Sequence, residues 1–335
     1  MDEVRVGFIG CGGNGRGHLA RLLELDAARP VAVCDLEESR AREAAAATGA
    51  QPYTDYRALL ERDDLDAVGI SVPPDAHGRL ELDVIARGLP FFVEKPVARH
   101  LDVALEIEEA AADAGLITCA GYQLRYCGSA DIARDTLSGE TVSLAVGRYW
   151  SGSARSAAKG WVTELARSGG QLLEQATHTI DMLRYLVGEV AEVSARHANL
   201  QLPGMDCPDV HVVTLAFESG ALGSLTSTWA YDPLDWSETN VVEVLYADRL
   251  LRWGRESVLI RERREGLEDG QLRAAMATEE YSAPGSSIDE VFVDAVRSGD
   301  GSAIRSPYGD AVRTLAVCLA ALESGQKGKP VRLLA

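Results

Sequence analysis

The sequence is poor in positive charge. It contains 33 Lys plus Arg against 51 Asp plus Glu, which gives a formal net charge of -18 with histidine counted as neutral. Binding to a nucleic-acid backbone or to an anionic membrane requires a basic surface that displaces counterions, and no stretch of the sequence carries one. We therefore expect no nucleic-acid partner and no membrane partner.

Cysteine motifs and long apolar runs are also missing from the sequence. The six cysteines are scattered, without a C-x-x-C pair or zinc-type spacing, so we expect buried reduced thiols and no metal. The longest apolar run, residues 315–322, is far shorter than the roughly 20 residues that span a bilayer. The first residues lack the basic and apolar regions of a secretory signal. These features predict a cytoplasmic protein.

The length and the alternation of segments indicate two domains, each containing both helices and strands. At roughly 150 residues per domain, 335 residues suggest two. The first 120 residues alternate short apolar runs with helix-like segments, the pattern of a parallel sheet built from βαβ units. After about residue 125, longer alternating segments joined by short turns favour antiparallel pairing. We predict an α/β domain with a parallel sheet over residues 1–124 and an α+β domain with a mostly antiparallel sheet over residues 125–335.

A glycine-rich motif follows the first predicted strand and opens a helix. Residues 10–15 are Gly-Cys-Gly-Gly-Asn-Gly, which fits the dinucleotide-binding pattern G-x-G-x-x-G in its expected context. Gly10 permits a tight turn, Gly12 lets the backbone approach a pyrophosphate, and Gly15 allows the helix to pack closely on the strand. The helix N-terminus then supplies N–H donors and a partial positive charge. The motif predicts a Rossmann domain.

An acidic residue at the end of the next predicted strand indicates which dinucleotide binds. Asp35 lies 20 residues after Gly15, where its carboxylate can accept hydrogen bonds from both ribose hydroxyls and would repel a 2′-phosphate. We therefore predict NAD as the cofactor, with Gly13 and Asn14 also in the binding loop. Arg40 is close enough in sequence to leave NADP as an alternative. A glycine-rich turn beside a helix-capping Asp is the other interpretation of these residues.

A rigid turn follows a later predicted strand. Residues 71–77 are Ser-Val-Pro-Pro-Asp-Ala-His, and crevices at the carboxyl ends of strands bind ligands in open α/β sheets. We include Ser71, Pro73 and His77 among the predicted cofactor contacts. Capping of the following helix is an equally open use for His77.

Three further motifs resemble one oxidoreductase family. Residues 91–96, Phe-Phe-Val-Glu-Lys-Pro, place Glu-Lys-Pro directly after a strand, and residues 121–126 are Gly-Tyr-Gln-Leu-Arg-Tyr. Residues 168–181 are Ser-Gly-Gly-Gln-Leu-Leu-Glu-Gln-Ala-Thr-His-Thr-Ile-Asp. With the glycine motif, the chain resembles the glucose-fructose oxidoreductase, inositol dehydrogenase and rhizopine-catabolism (Gfo/Idh/MocA) family over nearly its whole length.

The resemblance implies a fold, an activity and several site residues. It implies an N-terminal Rossmann domain, a C-terminal sheet that supports a homo-oligomer (dimer or tetramer), and NAD(P)-linked oxidation or reduction of sugars and cyclitols. It implies that Lys95 meets the substrate and that the bond before Pro96 is often cis, an uncommon geometry. Glu94, Lys95 and Gln123, which follow predicted strand ends, complete the predicted cofactor contacts.

The predicted catalytic helix starts near Gln171 and carries three polar residues on one face. Glu174, His178 and Asp181 are spaced i, i+4 and i+7, apart from an apolar stripe. Oxidation of a secondary alcohol needs a base for the hydroxyl proton, a cation beside the developing alkoxide and a hydride acceptor. His178 suits the base because the ordinary histidine pKa, about 6.5, lies near working pH. Lys95 suits the cation.

Other roles for these side chains stay open in the sequence. The family pattern usually has Asp where this chain has Glu174, so its role is either substrate contact or electrostatic tuning. Asp181 either orients the helix face or forms a salt bridge. The three residues also have helical metal-ligand spacing, but no second ligand cluster is evident. Arg125 and Trp161 are predicted substrate contacts, although aromatic residues more often pack in cores or interfaces.

The leading hypothesis is an NAD-dependent dehydrogenase of a neutral sugar, sugar derivative or cyclitol. The first alternative keeps the cofactor but cleaves a glycoside through a transient 3-keto sugar, with NAD recycled in each turnover. The second is a nucleotide-sensing protein without catalysis. The net negative charge favours an uncharged substrate over a phosphorylated one, because it lowers the local concentration of anions.

Overall fold

The computed structural model describes residues 3–152, 160–202, 204–231, 238–263 and 276–333. The chain divides into two units, one running to Gln123 and including Ser286–Arg313, the other comprising Leu124–Gly285 and the chain from Thr314 onward. The predicted contiguous domains, 1–124 and 125–335, differ from this division mainly in the segment Ser286–Arg313. Within the described ranges, no helix has the length and apolarity that a bilayer crossing requires.

The described residues form strands and helices with the following bounds. The strands β1 to β15 are Val4–Ile9, Ala28–Cys34, Gln51–Tyr53, Ala67–Ile70, Phe91–Val93, Thr118–Ala120, Val142–Trp150, Val190–Ala198, Val210–Phe217, Leu222–Thr228, Asn240–Tyr246, Arg249–Trp253, Val258–Arg263, Met276–Tyr281 and Val331–Arg332. The helices α1 to α11 are Gly13–Leu23, Glu38–Thr48, Tyr56–Leu60, Arg79–Ala86, Leu101–Asp113, Gly128–Leu137, Leu165–Ser168, Gln171–Glu174, Thr177–Val187, Ile288–Ser298 and Tyr308–Lys327.

The first unit contains a six-stranded parallel sheet in the order β3-β2-β1-β4-β5-β6. The four residues of β4 and the three of β5 are all buried, as in a sheet covered on both faces. The strand order reverses direction between β1 and β4, which is the position where ligands bind in open α/β sheets. The predicted Rossmann domain is confirmed.

The segment Ser286–Arg313 joins the first unit through charged and aromatic contacts of α10. Asp289, at the start of this helix, accepts hydrogen bonds from the side chains of His18 and Arg21 on α1. Phe292, one turn later, lies 6.2 Å from Phe92 of β5 between ring centroids. These contacts connect residues at least 200 positions apart, so local sequence patterns did not reveal them.

The second unit contains a nine-stranded sheet in the order β14-β13-β12-β11-β7-β10-β9-β8-β15. The described neighbours pair antiparallel except β7 and β10, which are parallel. Helix α9 packs against β7 and β11. A Cβ on Gly147 of β7 would lie 2.7 Å from a methyl carbon of Thr179, so the glycine permits this close packing. The predicted mostly antiparallel α+β domain is confirmed.

Candidate active site

The glycine-rich loop joins β1 to α1, and its glycines serve different purposes. Gly10 has φ +94°, and a Cβ there would lie 2.0 Å from the carbonyl oxygen of Ser71. A Cβ on Gly15 would lie 1.9 Å from the carbonyl oxygen of Gly10. At Gly12 and Gly13, the same test finds no described atom within 4 Å. Packing therefore requires the first and last glycines, whereas the middle ones face open space.

Helix α1 begins in that open space, at Gly13. The N-cap residue of this helix is Gly12, and among the described residues no side-chain capping hydrogen bond forms there. The first turn of the helix carries no acidic residue. The first backbone N–H groups of a helix have no partner inside the helix, and they lie at its positive end. This uncapped helix end beside an open glycine backbone fits a dinucleotide pyrophosphate.

Asp35 follows β2 and is fixed by two backbone hydrogen bonds. Its Oδ2 accepts from the N–H of Cys11 at 2.8 Å, and its Oδ1 accepts from the N–H of Glu37 at 2.9 Å. A carboxylate has about four acceptor positions, so further acceptor capacity remains for ribose hydroxyls. Arg40 is exposed and forms an ion pair with Glu37 at 3.1 Å.

Residues 71–77 lie at the end of β4, as predicted. The carbonyl of Ser71 faces Gly10, and Pro73 leads into a 3-10 turn over Pro74–Ala76. The imidazole Nδ1 of His77 lies 2.6 Å from Oε1 of Glu81, while Oε2 of Glu81 accepts from the N–H of Gly78 at the start of α4. His77 therefore supports the cap of α4 through Glu81; its contact with a cofactor stays a prediction.

The Glu-Lys-Pro segment follows β5. The peptide bond between Lys95 and Pro96 is cis, as the resemblance implied. Oε2 of Glu94 accepts from the backbone N–H of Lys95 at 3.0 Å, and Oε1 lies 2.8 Å from Nε2 of His18. A Cβ on Gly121, after β6, would lie 3.0 Å from Oε2 of Glu94, so a small residue is needed there. Glu94 is thus buried and held through both of its oxygens.

Gln123 and Arg125 lie in one 3-10 turn, Gln123–Tyr126, with opposite exposure. Gln123 is exposed and is the last residue of the N-terminal segment of the first unit. Arg125 is buried in the second unit, where its Nε and Nη2 donate to the two carboxylate oxygens of Asp181 at 2.8 and 2.6 Å. Thr314 donates to the same carboxylate at 2.9 Å. Asp181 is therefore a salt-bridge residue, and the contact of Arg125 with a substrate stays a prediction.

The predicted continuous helix from Gln171 is wrong, because the chain forms two helices that break at Gln175. There φ and ψ are -124° and -51°, and the N–H of Ala176 donates to the carbonyl of Gln171, five residues back. The indole Nε1 of Trp229 donates to Oε1 of Gln175 at 2.6 Å, which fixes the break. Such one-turn widenings of helices are frequent at functional sites.

Two of the three residues on the predicted polar face, His178 and Asp181, are buried. Every residue of α9 from Thr177 to Arg184 is buried, including His178, which is 9% exposed. Its N–H donates to the carbonyl of Gln175 at the break. Glu174 ends α8. Burial of the Tyr149 hydroxyl, and secondly the negative charge of Glu174, raise the pKa of Tyr149 well above its ordinary value. His178 and Glu174 therefore lie on either side of the break, one in each helix.

The remaining predicted contact, Trp161, is half-buried in a 3-10 turn over Trp161–Thr163. The next residue, Val162, packs on the buried pair Cys207 and Trp229. Lys95 and the predicted cofactor contacts belong to the first unit, whereas Arg125, Trp161, Glu174 and His178 belong to the second.

Two contacts beside the predicted residues were missed. His18 contacts Glu94, and Tyr149 is close enough to Glu174 to respond to its charge. The position of His18, three residues after Gly15 on the same helix, was a usable signal because it turns toward the sheet. Tyr149 had no signal beyond its place in an alternating strand.

Two family models match the chain. The model described as an oxidoreductase family with an NAD-binding Rossmann fold matches residues 4–122, and the GFO/IDH/MocA C-terminal domain matches residues 134–244. The glycine motif and Glu-Lys-Pro both lie inside the first match, and the segment with Glu174 and His178 lies inside the second.

Several relatives of the chain are named as inositol dehydrogenases. Inositol 2-dehydrogenase of Burkholderia multivorans is 29% identical over 228 residues, which cover 65% of this chain and 65% of that enzyme. Myo-inositol 2-dehydrogenase of Thermotoga maritima is 31% identical over 240 residues, which cover 68% of this chain and 71% of that enzyme. The chain thus matches about two thirds of the length of these relatives.

Solved structures share the fold over the whole chain. Levoglucosan dehydrogenase in complex with NADH and levoglucosan has a TM-score of 0.87 at 20% identity, covering 99% of this chain and 100% of that one. The WlbA dehydrogenase from Chromobactrium violaceum, in complex with NADH and UDP-GlcNAcA, has a TM-score of 0.85 at 21% identity, covering 100% and 97%. From the two family matches and the Thermotoga relative, we conclude that this chain belongs to the GFO/IDH/MocA family of oxidoreductases, with the NAD-binding Rossmann fold in its first unit.

Proposed function

We propose that this protein is an NAD-dependent dehydrogenase that moves hydride between nicotinamide and a secondary alcohol or ketone of a neutral sugar, sugar derivative or cyclitol. The main support for the proposal is the alignment of the strand ends in the parallel sheet. In the parallel sheet, Ile9 is in register with Cys34 and Ile70, Ile70 with Val93, and Val93 with Ala120. The residues that follow, including Gly10, Asp35, Ser71 and Glu94, therefore leave the sheet along one edge.

The residues at this edge fit a dinucleotide. The open backbone at Gly12 and Gly13 and the uncapped end of α1 suit the pyrophosphate, and the acceptor capacity of Asp35 suits the adenosine ribose. Asp35 also supports NAD over NADP, because a 2′-phosphate would meet a carboxylate. Arg40, which could offset that repulsion, is paired with Glu37.

The proposed chemistry needs a proton acceptor and a cation from this chain. When bound, NAD supplies the acceptor for the hydride that leaves the carbinol carbon. We assign His178 as the base that takes the hydroxyl proton and Lys95 as the cation that stabilises the alkoxide. Glu174 would act on these groups through its charge. Together the alcohol loses one hydride and one proton and becomes a ketone.

The neutral substrate class is supported by the relatives and by the charge of the chain. By their names, the relatives reported above act on inositols, which are uncharged polyols. The net charge of -18 lowers the local concentration of phosphorylated sugars. We therefore propose an uncharged polyol or sugar as the substrate.

The proposal is tested by NADH absorbance with a panel of substrates. Inositol isomers and neutral sugars are compared with the corresponding phosphates, and each compound is assayed with NAD and with NADP. We expect turnover with at least one neutral compound and NAD, and at least tenfold lower kcat/KM for its phosphate. Failure to bind NAD by calorimetry would contradict the proposal, as would sugar product formed without net NADH, which is the outcome of glycoside cleavage with recycled cofactor.

We also propose that two or more copies associate through the open face of the second sheet. Leu144 lies in register with Leu222 on one side and Leu245 on the other, and these side chains are 37%, 60% and 39% exposed. A contiguous apolar patch on a sheet face is typical of an interface. In sedimentation experiments, Leu222→Glu should lower the association state. Leu200 is 68% exposed and lies after the end of β8, so Leu200→Glu should leave the association state unchanged.

A further inference from the structure

A buried cluster of charged side chains lies behind the Glu-Lys-Pro segment of the first unit. Nε2 of His18 is 2.8 Å from Oε1 of Glu94, and Nδ1 of His18 is 2.5 Å from Oδ1 of Asp289. Arg21, one turn later on α1, donates from Nε to Oδ2 of Asp289 at 2.5 Å. The side chains of His18, Glu94 and Asp289 are 5%, 9% and 4% exposed.

The two carboxylates beside His18 favour its doubly protonated form. Nε2 faces Oε1 of Glu94, whereas Nδ1 faces both Oδ1 of Asp289 and, at 2.9 Å, Nη2 of Arg21. Burial alone would lower the pKa of His18, but the hydrogen bonds to Asp289 and Glu94 raise it to about 9. The cluster thus contains two carboxylates balanced by an imidazolium and a guanidinium, which is how charges are accommodated in a buried site.

His18 connects two parts of the proposed site. It lies on α1, the helix whose first residue, Gly13, belongs to the dinucleotide loop. Through Glu94 it reaches the backbone N–H of Lys95, because the second oxygen of Glu94 accepts from that group at 3.0 Å. The imidazole also packs on Phe92 of β5, with 4.6 Å between ring centroids. The ring is therefore held on its face and at both nitrogens.

We propose that His18 is a positioning residue: held by Asp289, it fixes Glu94, and through Glu94 it sets the position of the Lys95 segment relative to the dinucleotide loop. This inference rests on the proposed function, in which Lys95 stabilises the alkoxide. Displacement of a catalytic group by about 1 Å can lower a rate about hundredfold, so a residue that touches neither substrate nor cofactor can still control turnover.

A purely structural salt bridge would behave differently from a positioning residue. Removing a structural pair lowers stability and leaves kcat per folded molecule unchanged. The matched control is Asp66, whose carboxylate accepts from Nε and Nη2 of Arg5 at 2.8 Å each, at the opposite end of β1. Asp66→Asn also removes the charge of a carboxylate that is paired with an arginine in the first unit. Asp66 does not contact the Glu-Lys-Pro segment.

The experiment compares His18→Gln, Asp289→Asn and Asp66→Asn with the wild-type chain. Steady-state kinetics give kcat and the KM for NAD, and thermal unfolding gives Tm. The position of Lys95 is followed by NMR after reductive ¹³C-methylation, which is practicable because the sequence has only four lysines, at positions 95, 159, 327 and 329. Lys95→Arg assigns the resonance. Asp289→Asn keeps the test usable where His18→Gln fails to fold.

We expect kcat to fall about tenfold to hundredfold in His18→Gln and Asp289→Asn, with the KM for NAD changed less than about threefold. The methylated Lys95 resonance should shift in both variants, while those of Lys327 and Lys329 stay in place. Asp66→Asn should lower Tm and leave kcat and the Lys95 resonance unchanged. Wild-type kcat in both His18→Gln and Asp289→Asn, or an unmoved Lys95 resonance, would overturn the inference. A wild-type chain without turnover refutes the proposed function instead, and the Lys95 resonance then decides the positioning role alone.

Discussion

A Cβ atom on Gly15 would lie 1.9 Å from the carbonyl oxygen of Gly10, whereas one on Gly12 would meet no described atom within 4 Å. The same motif therefore contains a glycine that the folded chain itself requires and a glycine whose side-chain space is open. Only the second leaves room that a pyrophosphate could use. Within these six residues, Gly15 is therefore needed for folding, whereas Gly12 is available for ligand binding.

Substitutions of these two glycines should affect different properties, namely stability at Gly15 and NAD binding at Gly12. Gly15→Ala should destabilise the chain by several kcal/mol, because the backbone oxygen of Gly10 cannot move away cheaply. Gly12→Ala should leave the Tm of the ligand-free protein within about 1 °C and weaken NAD binding at least tenfold. Thermal unfolding and calorimetry with NAD measure both effects. Equal NAD affinity in Gly12→Ala and wild type would show that the cofactor does not approach this loop.

Replacement of Asp35 should change the preference between NAD and NADP. A hydrogen bond to a charged group contributes about 1.5–3 kcal/mol, so Asp35→Ser should lower kcat/KM for NAD by about tenfold to hundredfold. Loss of the negative charge should raise kcat/KM for NADP at the same time. Asp55→Ser is the control, since this aspartate caps α3 through the N–H of Arg57 and follows the neighbouring strand. An unchanged NAD-to-NADP ratio in Asp35→Ser would contradict the assignment.

Loss of the buried pair between Arg125 and Asp181 should act on stability. Removing one partner of a buried ion pair costs about 3–5 kcal/mol, because the other charge stays buried without compensation. Arg125→Ala should therefore lower the free energy of unfolding by about that amount in urea titrations. Arg134→Ala, which removes a second guanidinium from the ring of Tyr185, should cost under about 1 kcal/mol. A selective rise in substrate KM without loss of stability in Arg125→Ala would contradict the structural role and support the predicted substrate contact.

The second sheet contains a histidine pair that should make the fold sensitive to acid. Nδ1 of His211 lies 2.9 Å from Nδ1 of His197, and burial, followed by the charge of His197, lowers the pKa of His211 to about 3. The unfolded chain, with an ordinary pKa near 6.5, then binds more protons than the folded chain between these values. Stability is therefore present above about pH 6.5 and lost as pH falls toward 3.

Urea unfolding at pH 7 and pH 5 measures this loss. The wild-type chain should lose about 2 kcal/mol more than His211→Phe between the two pH values, since each pH unit in this window is worth about 1.4 kcal/mol per proton. Carboxylates that titrate in the same range affect both proteins equally. Parallel losses in the two proteins would mean that His211 does not remain neutral in the folded chain.

The sequence predicted the first unit well because its signals are local. The glycine motif, Asp35, the Ser71 turn and Glu94 each follow a short apolar strand, and parallel strands align such ends at one edge. It could not predict that Ser286–Arg313 joins this unit, because the contact between Asp289 and His18 spans 271 positions. A charged helix start and a helical histidine gave no hint that they form a pair.

The second unit shows a different limit. The spacing of Glu174, His178 and Asp181 correctly indicated helical structure but not the break at Gln175, which depends on a hydrogen bond from Trp229, 54 positions away. The spacing also did not reveal that His178 and Asp181 are buried. Asp181 is buried because Arg125 and Thr314 satisfy its carboxylate, and partners of this kind are invisible in a periodicity.

The proposed mechanism assigns the chemistry on the substrate to Lys95 and His178 and the binding of NAD to the glycine loop. It is tested most directly by measuring turnover and NAD affinity together in Lys95→Ala and His178→Asn, with Lys327→Ala and His100→Asn as exposed controls. We predict at least about hundredfold lower kcat in both site variants, NAD affinity within about threefold of wild type, and unchanged kcat in both controls. Wild-type kcat in Lys95→Ala and His178→Asn would contradict the account.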